Sequence, residues 1–119
     1  LTVGTVGNAA ARAAGRAAAE GVSVAHYDLR FVKPLDEALL DEVGRKFRRV
    51  VTVEDGSLRG GVGEAVGALF NGRGYDVRVS VRSLGIGDEW VEHGTPGQLY
   101  ALCGYDEEGI LRALLDTRA

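Results

Sequence analysis

The chain has 119 residues, enough to bury one core but not two, and the composition is that of an ordinary soluble fold: 45% apolar and 26% charged. Net charge is −3 with no face-long basic run, which argues against nucleic acid or an anionic membrane as partner. Cys103 is the only cysteine and His26 and His93 the only histidines. An internal disulfide and a multi-cysteine metal site are therefore excluded, and a reducing, cytoplasmic setting is expected. No apolar run approaches 18 residues, so no membrane span is expected. The first residue is Leu1, inside an apolar run, so the chain reads as a piece of something longer.

"LTVGTV" (1–6) has strand composition and stops at Gly7-Asn8, with Asn8 as the expected cap of a helix over "AAARAAGRAAAE". Arg12, Arg16 and Glu20 form one polar stripe on that helix. Its other side chains are nearly all alanine or glycine, which lets it approach a sheet or a second helix closely. Gly21 is the expected C-terminal stop. "VSVAHYDL" (22–29) reads as a strand. Pro34 then disfavours helix at Lys33, and Asp36 is placed to cap the next helix.

In "EALLDEVGRKF", Leu39, Leu40, Val43 and Phe47 form the stripe of a one-sided helix. Asp41–Arg45 and Glu42–Lys46 are i, i+4 pairs in the favourable orientation. The basic cluster Arg45-Lys46 and Arg48-Arg49 falls at the helix end, where it compensates the dipole. "RVVTVE" (49–54) reads as a buried strand, followed by the glycine-rich "DGSLRGGVG" and a helix near 62–71. "DVRVSVRSL" (76–84) alternates Val77, Val79 and Val81 against Arg78, Ser80 and Arg82, a strand with one wet face. Thr95-Pro96 opens a short helix stopping near Gly104, and Asp106 caps a last helix over 107–117.

The order β-α-β-α-β-α-β-α-α calls for an α/β fold: a three-layer α/β/α sandwich with a mostly parallel sheet, as a single domain over 1–119. Ligands of such sheets sit beyond the carboxyl ends of the strands, where three loops are candidates: "GNAA", "RFVKPLD" and "DGSLRGGVG". "GNAA" lacks the three spaced glycines of a dinucleotide-binding turn and has only the acid, Asp28. In "DGSLRGGVG" the glycines could present N–H groups to an anion. Glu54 and Asp55 would repel one, so close backbone packing is the favoured role of Gly60, Gly61 and Gly63. Glu92-His93 is the one acid–histidine neighbour pair, and no nucleophile is placed beside it. Ser57, Ser83 and Cys103 sit in no recognised nucleophile context, and loop structure is favoured for the pair. Trp90 is either a core plug or an interface anchor.

Four segments, "DLRFVKPLD" (28–36), "VVTVEDG" (50–56), "GGVGEAV" (60–66) and "LGIGDEWVEHG" (84–94), carry a resemblance across essentially the whole chain. In that order and spacing they resemble the C-terminal domain of the 1-deoxy-D-xylulose-5-phosphate synthase family, within the transketolase-like thiamine diphosphate enzymes. The most specific part is Arg30 to Asp36. Asp55 stands where glutamate is commoner in that family, Gly87 where proline is and Trp90 where phenylalanine is. Without that proline the 85–94 loop is expected to be less rigid.

The resemblance implies a mainly parallel sheet with one antiparallel strand, part of it ahead of Leu1. It implies a parent homodimer that condenses pyruvate with glyceraldehyde 3-phosphate, with loss of CO2, on thiamine diphosphate and magnesium held by preceding domains. The product feeds isoprenoid, thiamine and pyridoxal synthesis. This part then has no catalytic, cofactor or metal residues of its own and serves packing and assembly with those domains and a second subunit. The interface candidates are Asp28, Arg30, Phe31, Lys33, Asp36, Glu54, Asp55, Trp90 and His93. A bidentate-capable Arg30 on a stiff turn suits an interface, while a purely local tie between Arg30 and Asp28 is the alternative. Two other readings stay open. One is the matching domain of a 2-oxo acid dehydrogenase β subunit, which usually lacks the Phe-Val-Lys between Arg30 and Pro34. The other is a free-standing anion-binding α/β module.

Overall fold

The computed structural model describes residues 1–30, 34–87, 100–101 and 103–116. Its elements in chain order are β1 (Thr2–Val3), α1 (Val6–Ala19), α2 (Glu37–Lys46), β2 (Arg49–Ser57), α3 (Val62–Gly72), a 3₁₀ turn (Tyr75–Val77), β3 (Ser80–Ile86) and α4 (Glu107–Leu115). The sheet order is β1-β2-β3, and every pairing among the described residues is parallel. The antiparallel strand implied by the resemblance is not among those pairings.

The alternation of β2 distributes its side chains to two cores. Val51 and Val53 face a cluster built with Ala10, Ala13 and Ala17 of α1 and Ile110 and Leu111 of α4. Val50 faces a second cluster with Leu40 and Val43 of α2 and Val66 and Phe70 of α3. The sheet is therefore covered on both faces, as a parallel sheet requires. The alanine-rich face of α1 is what lets it lie flat, since Ala13 and Ala17 are fully buried. Its polar stripe meets α4 through Arg12–Glu107 at 3.7 Å and Arg16–Glu108 at 2.5 Å. Of the stripe expected on α2, Leu40 and Val43 are buried and Leu39 and Phe47 are half-buried against the same cluster, and Glu42 pairs with Lys46 at 4.0 Å. Asp41 instead reaches out of its helix to Arg73 and to the Tyr75 hydroxyl. That Arg73 contact holds the Asp41 carboxyl below its usual range.

Four sequence expectations are corrected. Helix α1 starts at Val6, not after Asn8, because Gly4 at φ +79° reverses the chain and Gly7 N–H already donates to Gly4 O (3.1 Å). Residues 22–29 form no strand beyond one parallel bridge, Asp28 to Thr2, because β1 has too few residues to pair with the rest. The stretch 76–84 becomes a strand only from Ser80, the register partner of Arg49 where β2 begins. Val77 is consequently 86% exposed in the 3₁₀ turn, while Val79 is buried. Strand β2 runs on to Ser57 across the acidic pair, with an irregularity between Val53 and Ser57.

Local signals held where both partners are close in sequence. Asp36 accepts from Leu39 N–H (3.1 Å) and Asp106 from Gly109 N–H (2.8 Å), and Gly21 ends α1 at φ +88°. Residues 100, 101 and 103 are helical, while the Thr95-Pro96 start lies outside the described residues.

Candidate functional site

The carboxyl end of β2 carries two of the polar residues singled out above, Glu54 and Asp55. Glu54 and Asp55 are neighbours on β2 and so point to opposite faces. Glu54 is buried beneath α3, and its carboxylate accepts from Val62 N–H (3.1 Å) and Gly63 N–H (2.9 Å). These are orphan donors of the first helical turn, and a carboxylate there also meets the positive end of the helix dipole. The glycines make room for this contact. A Cβ on Gly61 would lie 2.0 Å from Glu54 Oε1, and one on Gly63 would lie 2.1 Å from Ser83 Oγ. The anion position ahead of α3 is thus filled by the chain's own carboxylate, and the packing role of Gly61 and Gly63 is the one observed.

Asp55 turns the other way and accepts from the hydroxyls of Tyr100 (2.9 Å) and Tyr105 (3.0 Å). The two rings lie 4.9 Å apart. Hydrogen bonding to Asp55 pushes the Tyr100 hydroxyl pKa up, and burial, followed by the same carboxylate, pushes that of Tyr105 up. Both therefore stay protonated donors. Tyr105 was missed from the sequence. Its position one residue before the Asp106 cap was the only available hint, and nothing local connects it to a residue 50 positions away.

Asp28, Arg30 and Asp36 line one open groove of about 620 Å³ with Leu29, Pro34, Leu35 and Leu39. Asp28 and Arg30 are exposed there, and the Asp36 side chain is committed to its helix cap. Phe31, Lys33, Trp90 and His93, and the Glu92-His93 pair, lie outside the described residues. A second groove, apolar and bounded by residues 22–27 and the first half of β2, had no signal in the sequence. Among the described residues no group of three or more His, Cys, Asp or Glu side chains can hold a metal ion. No helix among them is long and apolar enough to cross a membrane.

The profile of the transketolase C-terminal domain family matches residues 1–110. The chain belongs to the transketolase C-terminal domain family. Curated relatives of this domain carry the name 1-deoxy-D-xylulose-5-phosphate synthase. That of Bacteroides fragilis is 53% identical over 119 residues, 99% of this chain and 18% of the relative. That of Bacteroides thetaiotaomicron is 50% identical over 116 residues, and that of Alkalilimnicola ehrlichii 44% over 104, 85% of this chain. The transketolase C-terminal domain seen here spans about a fifth of the length of these relatives. Among solved structures, a chain of "split gene transketolase, inactive beta4 tetramer" aligns with a TM-score of 0.85 at 30% identity, over 95% of this chain and 36% of that one.

The N-terminus of α3 does not fit the diphosphate of a thiamine diphosphate–metal group. The Val62 and Gly63 N–H groups that could cradle a diphosphate already bind Glu54, whose charge opposes a second anion.

Proposed function

We propose that residues 1–119 are one domain, the C-terminal non-catalytic part of a 1-deoxy-D-xylulose-5-phosphate synthase. The complete enzyme would be a cytoplasmic homodimer that joins pyruvate to glyceraldehyde 3-phosphate, with loss of CO2, on thiamine diphosphate and magnesium held elsewhere in the polypeptide. The observation that carries this reading is the 53% identity across the full 119 residues to a protein of that name. The Glu54 cap supports it, since it removes the anion site that a free-standing binding module would need.

The role assigned to this domain is assembly. Asp28 and Arg30 stand exposed at the mouth of a groove with a stiff proline wall, so a neighbouring domain or subunit could engage the guanidinium without reorganising the turn. The solved neighbour is itself described as a β4 tetramer, which lends support to an assembling parent protein. In the complete synthase, Arg30→Glu is expected to shift the sedimentation profile toward monomer and to lower activity in parallel. The expected loss is about tenfold or more, the scale of one broken interface ion pair. Wild-type assembly and activity in that variant would overturn the interface role. Calorimetric titration of thiamine diphosphate and magnesium into the 119-residue chain is expected to give no saturable heat, and micromolar binding would overturn the non-catalytic reading.

A further inference from the structure

Helix α3 ends on Asn71-Gly72, followed by Arg73 and a chain reversal at Gly74, φ +77°. Gly63, Gly67 and Gly72 all lie in this 11-residue helix, so its last turn has little intrinsic helix preference and opens at low cost. Asn71, Gly72 and Arg73 are exposed, and the Asn71 carboxamide has no hydrogen-bond partner among the described residues. The other asparagine of the chain, Asn8, is also exposed and helical but is followed by Ala9.

An asparagine followed by glycine is set up for an intramolecular acyl transfer. The Gly72 backbone N–H gives its proton to solvent base, and the nitrogen attacks Asn71 Cγ. The new N–Cγ bond closes a cyclic imide, the Cγ–Nδ2 bond breaks, and Nδ2 takes up a proton and leaves as ammonia. Water then opens the imide at either carbonyl, giving aspartate or isoaspartate. The sum is asparagine plus water going to acid plus ammonia, with no other reactant. Glycine matters in the second position because, without a Cβ, it neither blocks the approach nor restricts the rotation that closure requires. The helical backbone at Asn71 holds the reacting atoms apart, so the reaction runs through opening of the last turn.

The same turn carries a tie to α2. Arg73 N–H donates to Leu69 O (3.0 Å) and Gly74 N–H to Asn71 O (3.2 Å). This backbone aims the Arg73 guanidinium at Glu37 (2.6 Å) and Asp41. Isoaspartate adds a carbon to the main chain between Leu69 and Arg73, which breaks that register. Either product also places a carboxylate in the last turn, at the negative end of the helix dipole. We propose that Asn71-Gly72 is a self-modifying site that converts through the imide to aspartate and isoaspartate, and that the conversion loosens the Arg73 tie between α3 and α2.

The test is incubation of the folded protein in mildly alkaline buffer, with peptide mapping that separates asparagine, aspartate and isoaspartate. Residue 71 is expected to convert with release of ammonia while Asn8 keeps its amide. Conversion at residue 71 no faster than at residue 8 would overturn the proposal. Gly72→Ala is the second arm. A Cβ there meets nothing within 4 Å and Gly72 is not at positive φ, so the variant is expected to fold. Its conversion should be largely lost, in native buffer and also in urea, where helix stability plays no part. Wild-type speed in urea would overturn the imide route. The converted protein, separated by ion exchange, should unfold at lower urea than its parent, and an unchanged midpoint would overturn the loosened tie. In Arg73→Ala the drop on conversion should shrink, because the tie is already gone, and an undiminished drop would overturn it as well.

Discussion

Replacing Glu54 by glutamine tests the central feature of the β2–α3 junction. The carboxylate is 7% exposed and holds two helix N-terminal donors at 2.9 and 3.1 Å. Glutamine keeps the shape, yet it offers one acceptor oxygen and sets an NH2 group against the other donor. A hydrogen bond to a charged group contributes about 1.5–3 kcal/mol, and a carboxylate at a partly buried helix N-terminus up to about 2 kcal/mol more. The substitution should therefore cost about 2–4 kcal/mol, a large share of a domain stability of about 5–15 kcal/mol. For a chain of this size that is a fall in thermal midpoint of about 8–16 °C, together with a lower urea midpoint at unchanged slope. Glu64→Gln is the control. Its carboxylate accepts from Gly60 N–H at the same helix end but is exposed, so it should cost far less. A Glu54→Gln protein as stable as the parent, or no less stable than Glu64→Gln, would refute the cap as the reason for the buried carboxylate.

Thr52→Val is expected to act in the opposite direction. The Thr52 hydroxyl is fully buried and has no hydrogen-bond partner among the described residues, so an isosteric apolar side chain should gain about 1 kcal/mol in urea denaturation. A loss of that size would mean the hydroxyl is bonded. Stability of the 119-residue chain should also depend on pH. The Leu1 amino group titrates at about 6 when folded, against 8.0 ordinarily, so the unfolded chain binds more protons between those values and stability rises with pH from 6 to 8. The whole effect is bounded at about 2–3 kcal/mol. His26 is shifted down by burial and then by the Leu1 ammonium, with Asp28 opposing, and so adds to the same trend below its ordinary 6.5. Urea midpoints at pH 6 and 8 measure the slope, and N-terminal acetylation should remove the Leu1 part. A flat profile would refute the burial of that group.

What the sequence alone determined follows from interactions that close within one turn or one motif. The α2 stripe, the Asp36 and Asp106 caps and the Gly21 stop each need partners only three to eight residues apart, so spacing suffices to find them. The family was legible for a related reason, since "DLRFVKPLD" and its companion segments are contiguous strings. The α/β/α layering was legible too, because alternating strand and helix patterns admit few packings.

Tertiary structure decided everything that needs a distant partner. A strand pattern at 22–29 is not a strand until another strand lies beside it, and β1 supplies one bridge. Val77 fits the alternation of β3 but precedes the register partner of Arg49, so it is left in solvent. Glu54 and Asp55 read as one acidic pair beside an anion loop. The pleat separates them, one to seal the α3 N-terminus and the other to hold Tyr100 and Tyr105. Local periodicity specifies which face a side chain takes; which neighbour waits on that face is set by distant chain segments, here Tyr105, 50 residues on, for Asp55.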